Sequence, residues 1–158
     1  MRQNILLLLI VTGGFLVMSC KDHNNLKLSE SEVSRIKAEI EKTALNHLNS
    51  ESAILALSYY TEDAKIMSNG ILYSSFESFA ADIKDFYSNL NIVNHATYND
   101  MHINVLASDN AHLNTKFHWI STDKNGQKIE IKGTWSALFV LKEGHWKMCF
   151  RHESFRTI

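Results

Sequence analysis

A chain of 158 residues is long enough for one domain with a proper core, and at 45% hydrophobic and 10% aromatic it is too rich in core formers to be disordered. A formal net charge of -1 gives no electrostatic reason to expect nucleic acid or an anionic membrane surface as a partner.

Residues 1–19 read as a removable leader. Arg2 supplies a positive start, and Ile5 to Met18 form an apolar run of signal-peptide length, too short for a comfortable membrane span. Val17-Met18-Ser19-Cys20 resembles a bacterial lipobox, which implies cleavage before Cys20 and lipidation of that cysteine. The expectation is a bacterial cell-envelope protein, periplasmic or surface-exposed, held to the membrane through its N-terminal lipid alone. Each buried methylene of such an anchor contributes about 0.8 kcal/mol. An ordinary signal peptide with an incidental cysteine is the alternative. With Cys20 lipidated, Cys149 is the only thiol left, and no internal disulfide can form. Residues 20–28 are polar and read as a tether, which leaves residues 29–158 as the folded domain.

Ser29-Glu30-Ser31-Glu32 opens a helix with a capping box, and Val33, Ile36, Ile40, Ala44 and Leu48 recur at helical spacing. Asn49-Ser50 ends that helix and starts a second over about Glu51 to Tyr60, with Ile54 and Leu57 inward. Lys65 to Ser68 is a short strand, Asn69-Gly70 a turn, and Ile71 to Tyr73 pairs back. Ser74-Ser75-Phe76-Glu77 is another capping box. The helix behind it carries Phe76, Phe79, Ala80, Ile83, Phe86 and Leu90, with Asp82 and Asp85 off that stripe.

Asn94 to Ala107 is a long strand. The turn at Ser108-Asp109-Asn110 pairs Val105 with Leu113 and Ile103 with Thr115. Asp123-Lys124-Asn125-Gly126-Gln127 is a three-residue loop with Gly126 in the left-handed position. That sets Thr115 opposite Trp135 and Leu113 opposite Ala137. The turn at Glu143-Gly144 works as a two- or four-residue loop. Either sets Leu141 opposite Trp146, and Trp135 opposite His152. One face then collects Leu113, Phe117, Trp119, Trp135, Met148 and Phe150; the other collects His112, Lys116, His118, Glu130, Arg151 and Glu153. A one-residue slip would scramble the sorting.

The fold class is α+β: a curved antiparallel sheet with three helices on its concave face. Leu57-Ser58-Tyr59-Tyr60-Thr61-Glu62-Asp63-Ala64, Gly133-Thr134-Trp135-Ser136-Ala137-Leu138-Phe139-Val140, and Gly144-His145-Trp146-Lys147 with His152-Glu153-Ser154 resemble the NTF2-like superfamily, nearest its SnoaL-like or DUF4440 branch. The resemblance spans about residues 30–155. It implies a cone whose interior is a ligand pocket, on a fold that hosts isomerases, dehydratases, hydrolases and non-catalytic binding domains. Under the register above, the polar end of that pocket is lined by three rows. They are Ile103, Thr115, Trp135 and His152; then Met101, Phe117, Gly133 and Ser154; then Asn99, Trp119 and Ile131. The expected ligand contacts are therefore Asn99, Met101, Ile103, Thr115, Phe117, Trp119, Trp135, His152 and Ser154.

His152 is the leading candidate for a base, and Asp63 is the acid closest to the mouth. Asp100, Glu130 and Glu153 all sort to the outer face, and the resemblance implies that proton-moving relatives place a carboxylate inside. The expectation is binding of a small, mostly apolar molecule without chemistry. One alternative is an isomerase, dehydratase or hydrolase using His152 with Asp63 or a tyrosine (Tyr59, Tyr60, Tyr73 or Tyr87). Another is an interaction module whose outer patch of Leu106, Leu138, Val140 and Cys149 meets a second protomer in a homodimer. No cofactor motif or phosphate loop is present. A metal site is not expected, since His112 and His118 lie roughly 20 Å apart along one strand and His102 neighbours Lys116.

Overall fold

The computed structural model describes residues 27–158, apart from the side chains of residues 92–95. The expected leader, Cys20 and most of the tether lie outside the described residues.

Helix α1 (Glu30–Leu48) starts at the expected capping box: Ser29 N–H donates to the Glu32 carboxylate at 2.9 Å, and Glu32 N–H returns to the Ser29 hydroxyl. Its stripe of Ile36, Ile40 and Ala44 is wholly buried. Helix α2 (Ala53–Leu57) is shorter than expected. Ser52 caps it, and the chain has entered strand β1 (Tyr60–Ser68) by Tyr60. A helix this short has room to bury one residue; that residue is Ala56, and Ile54 is 79% exposed rather than inward. Strand β2 (Ile71–Leu72) closes the small hairpin. Helix α3 (Phe76–Asn89) is capped by Ser75, whose hydroxyl and backbone exchange bonds with Ser78. That box displaces the expected pairing of Ser74 with Glu77 by one residue. Strands β3 (Leu90–Ala107), β4 (Asn110–Asp123), β5 (Lys128–Lys142) and β6 (His145–Thr157) complete the chain.

The strands form one sheet in the order β2-β1-β6-β5-β4-β3. The architecture is the expected α+β one, with one correction: β1 runs parallel to β6, so the sheet is mixed. Ile36, Ile40, Phe79, Leu113, Phe139 and Met148 make the centre of the core between helices and sheet. Trp146 Nε1–H donates to Glu39 at 2.9 Å and ties α1 to the last hairpin.

Pairing of β4 with β5 is the expected one, Thr115 opposite Trp135 and Leu113 opposite Ala137. Gly126 has a φ of +79° at its loop. At the next turn, Glu143 and Gly144 have φ of 54° and 77°, the conformation of a two-residue type I′ loop, and Leu141 faces Trp146.

The pairing shifts at several other places in the sheet, and two of these bulges turn candidate site residues from one face to the other. The first lies in β3. The Ser108-Asp109 turn has two residues and pairs Ala107 with Asn110; a shift between Val105 and Ala107 then sets Ile103 opposite Leu113 rather than Thr115. The ladder then shifts between Asn99 and His102, with Asp100 at a φ of 54°. Tyr98 therefore pairs with Phe117, and Tyr98, not Asn99, joins the inner face. The second bulge is in β6. Phe139 faces Met148 and Leu138 faces Phe150, which leaves Cys149 as the extra residue. One extra residue inverts every later side chain. Trp135 thus faces Glu153, Ser136 faces His152, and Phe150 joins Leu138 on the outer face.

Gly133 sits where β5 passes closest to its neighbours. A Cβ there would come within 2.3 Å of the Ser154 carbonyl oxygen and 2.7 Å of Phe155 Cβ. The backbone cannot swing away without breaking the ladder. Gly133→Ala is therefore expected to destabilise the fold by about 1–3 kcal/mol, measured as a lowered urea midpoint at unchanged slope.

Candidate functional site

Between α3 and the sheet lies a cavity of about 370 Å³. Helix α3 contributes Phe79, Ile83, Phe86 and Tyr87 to its wall, and the sheet contributes Phe117, Trp119, Ile131 and Phe155. The polar groups on it are His47, Ser68, Tyr73, Asp82, Arg151 and Glu153. These are brought together by parts of the chain far apart in sequence: the end of α1, the end of β1, the segment between β2 and α3, α3 itself, and β6 beyond its bulge.

The bulge matters most. Arg151 and Glu153 are two residues apart on one face of β6 and are 9% and 8% exposed. Arg151 Nη2–H donates to Glu153 Oε2, and Arg151 Nη1–H donates to the Tyr60 hydroxyl at 2.8 Å. The Ser68 hydroxyl donates to the other Glu153 oxygen at 2.8 Å. Tyr60 in turn lies 3.1 Å from His47 Nε2. The guanidinium also stands over the Phe79 ring, 5.3 Å from its centroid. The result is a continuous chain His47–Tyr60–Arg151–Glu153–Ser68 along the cavity wall.

Burial sets the protonation of this chain. His47 packs against Tyr59, Tyr60 and Trp135, and burial, with the Arg151 charge second, pushes its imidazole down to about 3. Burial pushes Tyr60 up to about 12. Burial opposes the charge of Arg151, but Glu153 and Tyr60 outweigh it and hold the guanidinium above its ordinary value. At neutral pH the histidine is neutral, the tyrosine protonated and the guanidinium of Arg151 charged. Separately, Tyr73 donates to Asp82 at 2.8 Å, and burial with this bond raises Tyr73 to about 12. Asp82 thus borders the cavity instead of lying clear of it.

The residues expected to line the pocket fall into three groups. Phe117 and Trp119 are on the cavity wall. Met101 and Ile103 pack against the core, and Thr115 is buried with its hydroxyl donating to the carbonyls of Asn99 at 2.9 Å and Lys116 at 3.0 Å. Trp135 is 3% exposed and sandwiched between Tyr98 and His47, at 5.1 Å and 5.8 Å between ring centroids. Asn99, His152 and Ser154 are exposed on the outer side, because the two bulges turned them there. His152 instead borders an outer groove with Asp100, His102 and Lys116. Asp63 is exposed on β1, its carboxylate held low by the Thr61 hydroxyl and its own backbone N–H. Among the described residues, no group of three or more His, Cys, Asp or Glu side chains is placed to hold a metal ion.

His47 had a readable signal: it lies three residues after Ala44 on the buried stripe of α1. Arg151, Glu153 and Tyr98 had none, since a bulge is needed to turn each inward.

The sequence matches no protein-family model and no curated protein. Solved structures do match its shape. A scytalone dehydratase-like protein from Novosphingobium aromaticivorans superposes with a TM-score of 0.71 at 11% identity, over 82% of this chain and 89% of that one. A ketosteroid isomerase-like protein from Erwinia carotovora gives 0.63 at 17% identity, over 77% and 95%. A hexachlorocyclohexane dehydrochlorinase from Novosphingobium barchaimii gives 0.63 at 14% identity, over 82% and 90%. The fold is that of the NTF2-like superfamily. In this NTF2-like cone the sheet supplies one wall and α3 the other, and the buried Arg151–Glu153 pair lies on the β6 side of the space between them. Likeness at these identities carries the fold and not the chemistry.

Proposed function

We propose that this chain is a lipid-anchored cell-envelope domain whose NTF2-like cone binds a small, mostly apolar molecule without transforming it. The observation that carries the reading is a largely apolar cavity whose buried titratable groups are bonded to one another. A general base needs a lone pair free to take the substrate's proton. His47 Nε2 faces Tyr60, and both Glu153 oxygens are engaged by Arg151 and Ser68. Such a wall is suited to holding and orienting a ligand.

The test is a titration of the folded chain with the neutral probe N-phenyl-1-naphthylamine. Saturable binding is expected. Phe86→Lys, which places an ammonium on the apolar wall, should weaken it roughly tenfold or more, about 1.4 kcal/mol. No saturable binding, or no effect of the lysine, would count against a ligand-binding cone. For the anchor, Cys20→Ser is expected to move the chain from the membrane to the soluble fraction and to abolish incorporation of labelled palmitate.

A proton-transfer enzyme is the second reading. Two observations favour it: Glu153 and Asp82 both border the cavity, and solved structures of this shape include a dehydrochlorinase and dehydratase-like and isomerase-like proteins. The pairing of His152 with Asp63 no longer supports it, since both side chains are outside the cavity. Glu153-dependent exchange of a bound ketone's α-hydrogens in deuterium oxide would favour this reading over simple binding.

A further inference from the structure

Tyr73 and Asp82 stand on the cavity wall outside the bonded chain that runs from His47 to Ser68. The Tyr73 hydroxyl donates to Asp82 Oδ2 at 2.8 Å. Burial and this bond raise Tyr73 to about 12, so the proton stays on the phenol. A phenol has one proton to give, and that of Tyr73 is already given. The pair therefore offers the cavity acceptors: the Tyr73 oxygen and Asp82 Oδ1. Neither has a donor among the described residues. Both can be reached, since Asp82 is exposed and Tyr73 is half-buried.

The wall around this pair is aromatic. Phe86, Tyr87, Phe117 and Phe155 all line the cavity, and each keeps part of its surface exposed. Phe86 is tilted by 40° on the Trp119 ring at 5.3 Å, and Phe117 meets Phe155 edge-on at 6.4 Å between centroids. The face of an aromatic ring is its negative side and attracts a cation within about 6 Å of the centroid. The same wall already holds one such contact, Arg151 over Phe79.

The balance of acids and bases points the same way. Among the described residues, the wall holds two acids, Asp82 and Glu153, against one guanidinium, Arg151. Arg151 and Glu153 are bonded to each other, which leaves Asp82 without a basic partner. An anionic ligand would bring no donor to Asp82 and would be repelled by it. A neutral alcohol would satisfy one acceptor and make no use of the ring faces. An ammonium has donors only and carries positive charge, so it matches the acceptors, the rings and the unpaired acid together. We propose that the Tyr73–Asp82 end of the cavity is a recognition subsite for a protonated amine on an otherwise apolar ligand. The ammonium donates to Asp82 Oδ1 and to the Tyr73 oxygen, and the apolar body fills the space between α3 and the sheet. The proposal rests on the ligand-binding reading and names the class of molecule bound.

The test compares four probes of matched ring on the folded chain at neutral pH by isothermal titration calorimetry. They are 2-(aminomethyl)naphthalene, 2-(hydroxymethyl)naphthalene, 2-ethylnaphthalene and 2-naphthoate. The amine is expected to bind roughly tenfold more tightly than the alcohol or the hydrocarbon, the order of a cation–π contact together with an exposed ion pair. The carboxylate should bind most weakly. Asp82→Asn keeps the shape of the side chain and removes its charge; it should cut the ratio of amine to hydrocarbon affinity several-fold. An amine no tighter than the hydrocarbon would overturn the subsite while leaving the ligand-binding cone intact. An alcohol as tight as the amine would overturn the cationic class. An amine preference undiminished in Asp82→Asn would overturn the assignment to this end of the cavity. Failure of all four to bind would remove the subsite and the ligand-binding reading together. The ranking of the probes is measured on the unsubstituted chain and stands even if Asp82→Asn does not fold.

Discussion

Arg151→Met should lower the unfolding free energy by about 3–5 kcal/mol. Arg151 and Glu153 are among the few charged residues of the described chain that are buried, with side chains 11% and 10% exposed. Removing the guanidinium leaves the Glu153 carboxylate in an apolar wall with only the Ser68 hydroxyl as donor. It also strips Tyr60 of its donor and Phe79 of the cation above its ring. Urea denaturation at neutral pH measures the loss. The double variant Arg151→Met/Glu153→Leu is the informative control. A buried pair gains attraction but both members lose hydration, and the two terms nearly cancel. Most of the stability should therefore return in the double variant. A double variant no better than the single one would mean that the pair's surroundings, not the stranded charge, set the cost.

Lowering the pH from about 6.5 to about 3 should cost about 3–4 kcal/mol through His47 alone. The sign depends on where the proton goes. In the folded chain the imidazole is depressed to about 3, first by burial and then by the charge of Arg151. In the unfolded chain it titrates near its ordinary value of about 6.5. Between those two values the unfolded chain holds a proton that the folded chain refuses, so acid favours unfolding. The full stability contribution is present above the unfolded value and fades as pH falls through the window. The figure is set below the full shift because His47 is only half-buried. Stability of the unsubstituted chain minus that of His47→Phe, followed from pH 7 to 3, isolates the term from the surface carboxylates. A flat difference would show that the ring is reachable by solvent in its charged form.

The site and the fold were legible to different degrees, and the residues explain why. The β4–β5 register followed from Gly126 and from the alternation of Leu113, Thr115 and Phe117 against Lys116 and His118, because only one register keeps the apolar set together. On β6 the alternation is ambiguous. Met148, Cys149 and Phe150 are three adjacent residues that tolerate either face, so a bulge among them costs little apolar burial and leaves no mark in the pattern. Beyond it, placing Arg151 and Glu153 outside looks favourable in isolation, since an unpaired charge inside is strongly destabilising. What makes the inside tolerable is provided from elsewhere: Tyr60 and Ser68 from the parallel neighbour β1, and Phe79 from α3. Met101 and Asp100 hide the first bulge in the same way, and with it the inward turn of Tyr98.

The sequence by itself determined the elements, the turns, the inner face of β4 and β5, and hence an α+β cone with aromatic residues toward its hollow. These depend on short-range rules, in which a glycine's φ or a two-residue period acts within a few positions of itself. Only the tertiary structure decided which polar groups enter the hollow. That choice turns on two single-residue insertions in the ladder and on partners up to 104 positions away along the chain, from His47 to Arg151. A side chain's solvation cost is settled by what surrounds it, and no local pattern records those surroundings.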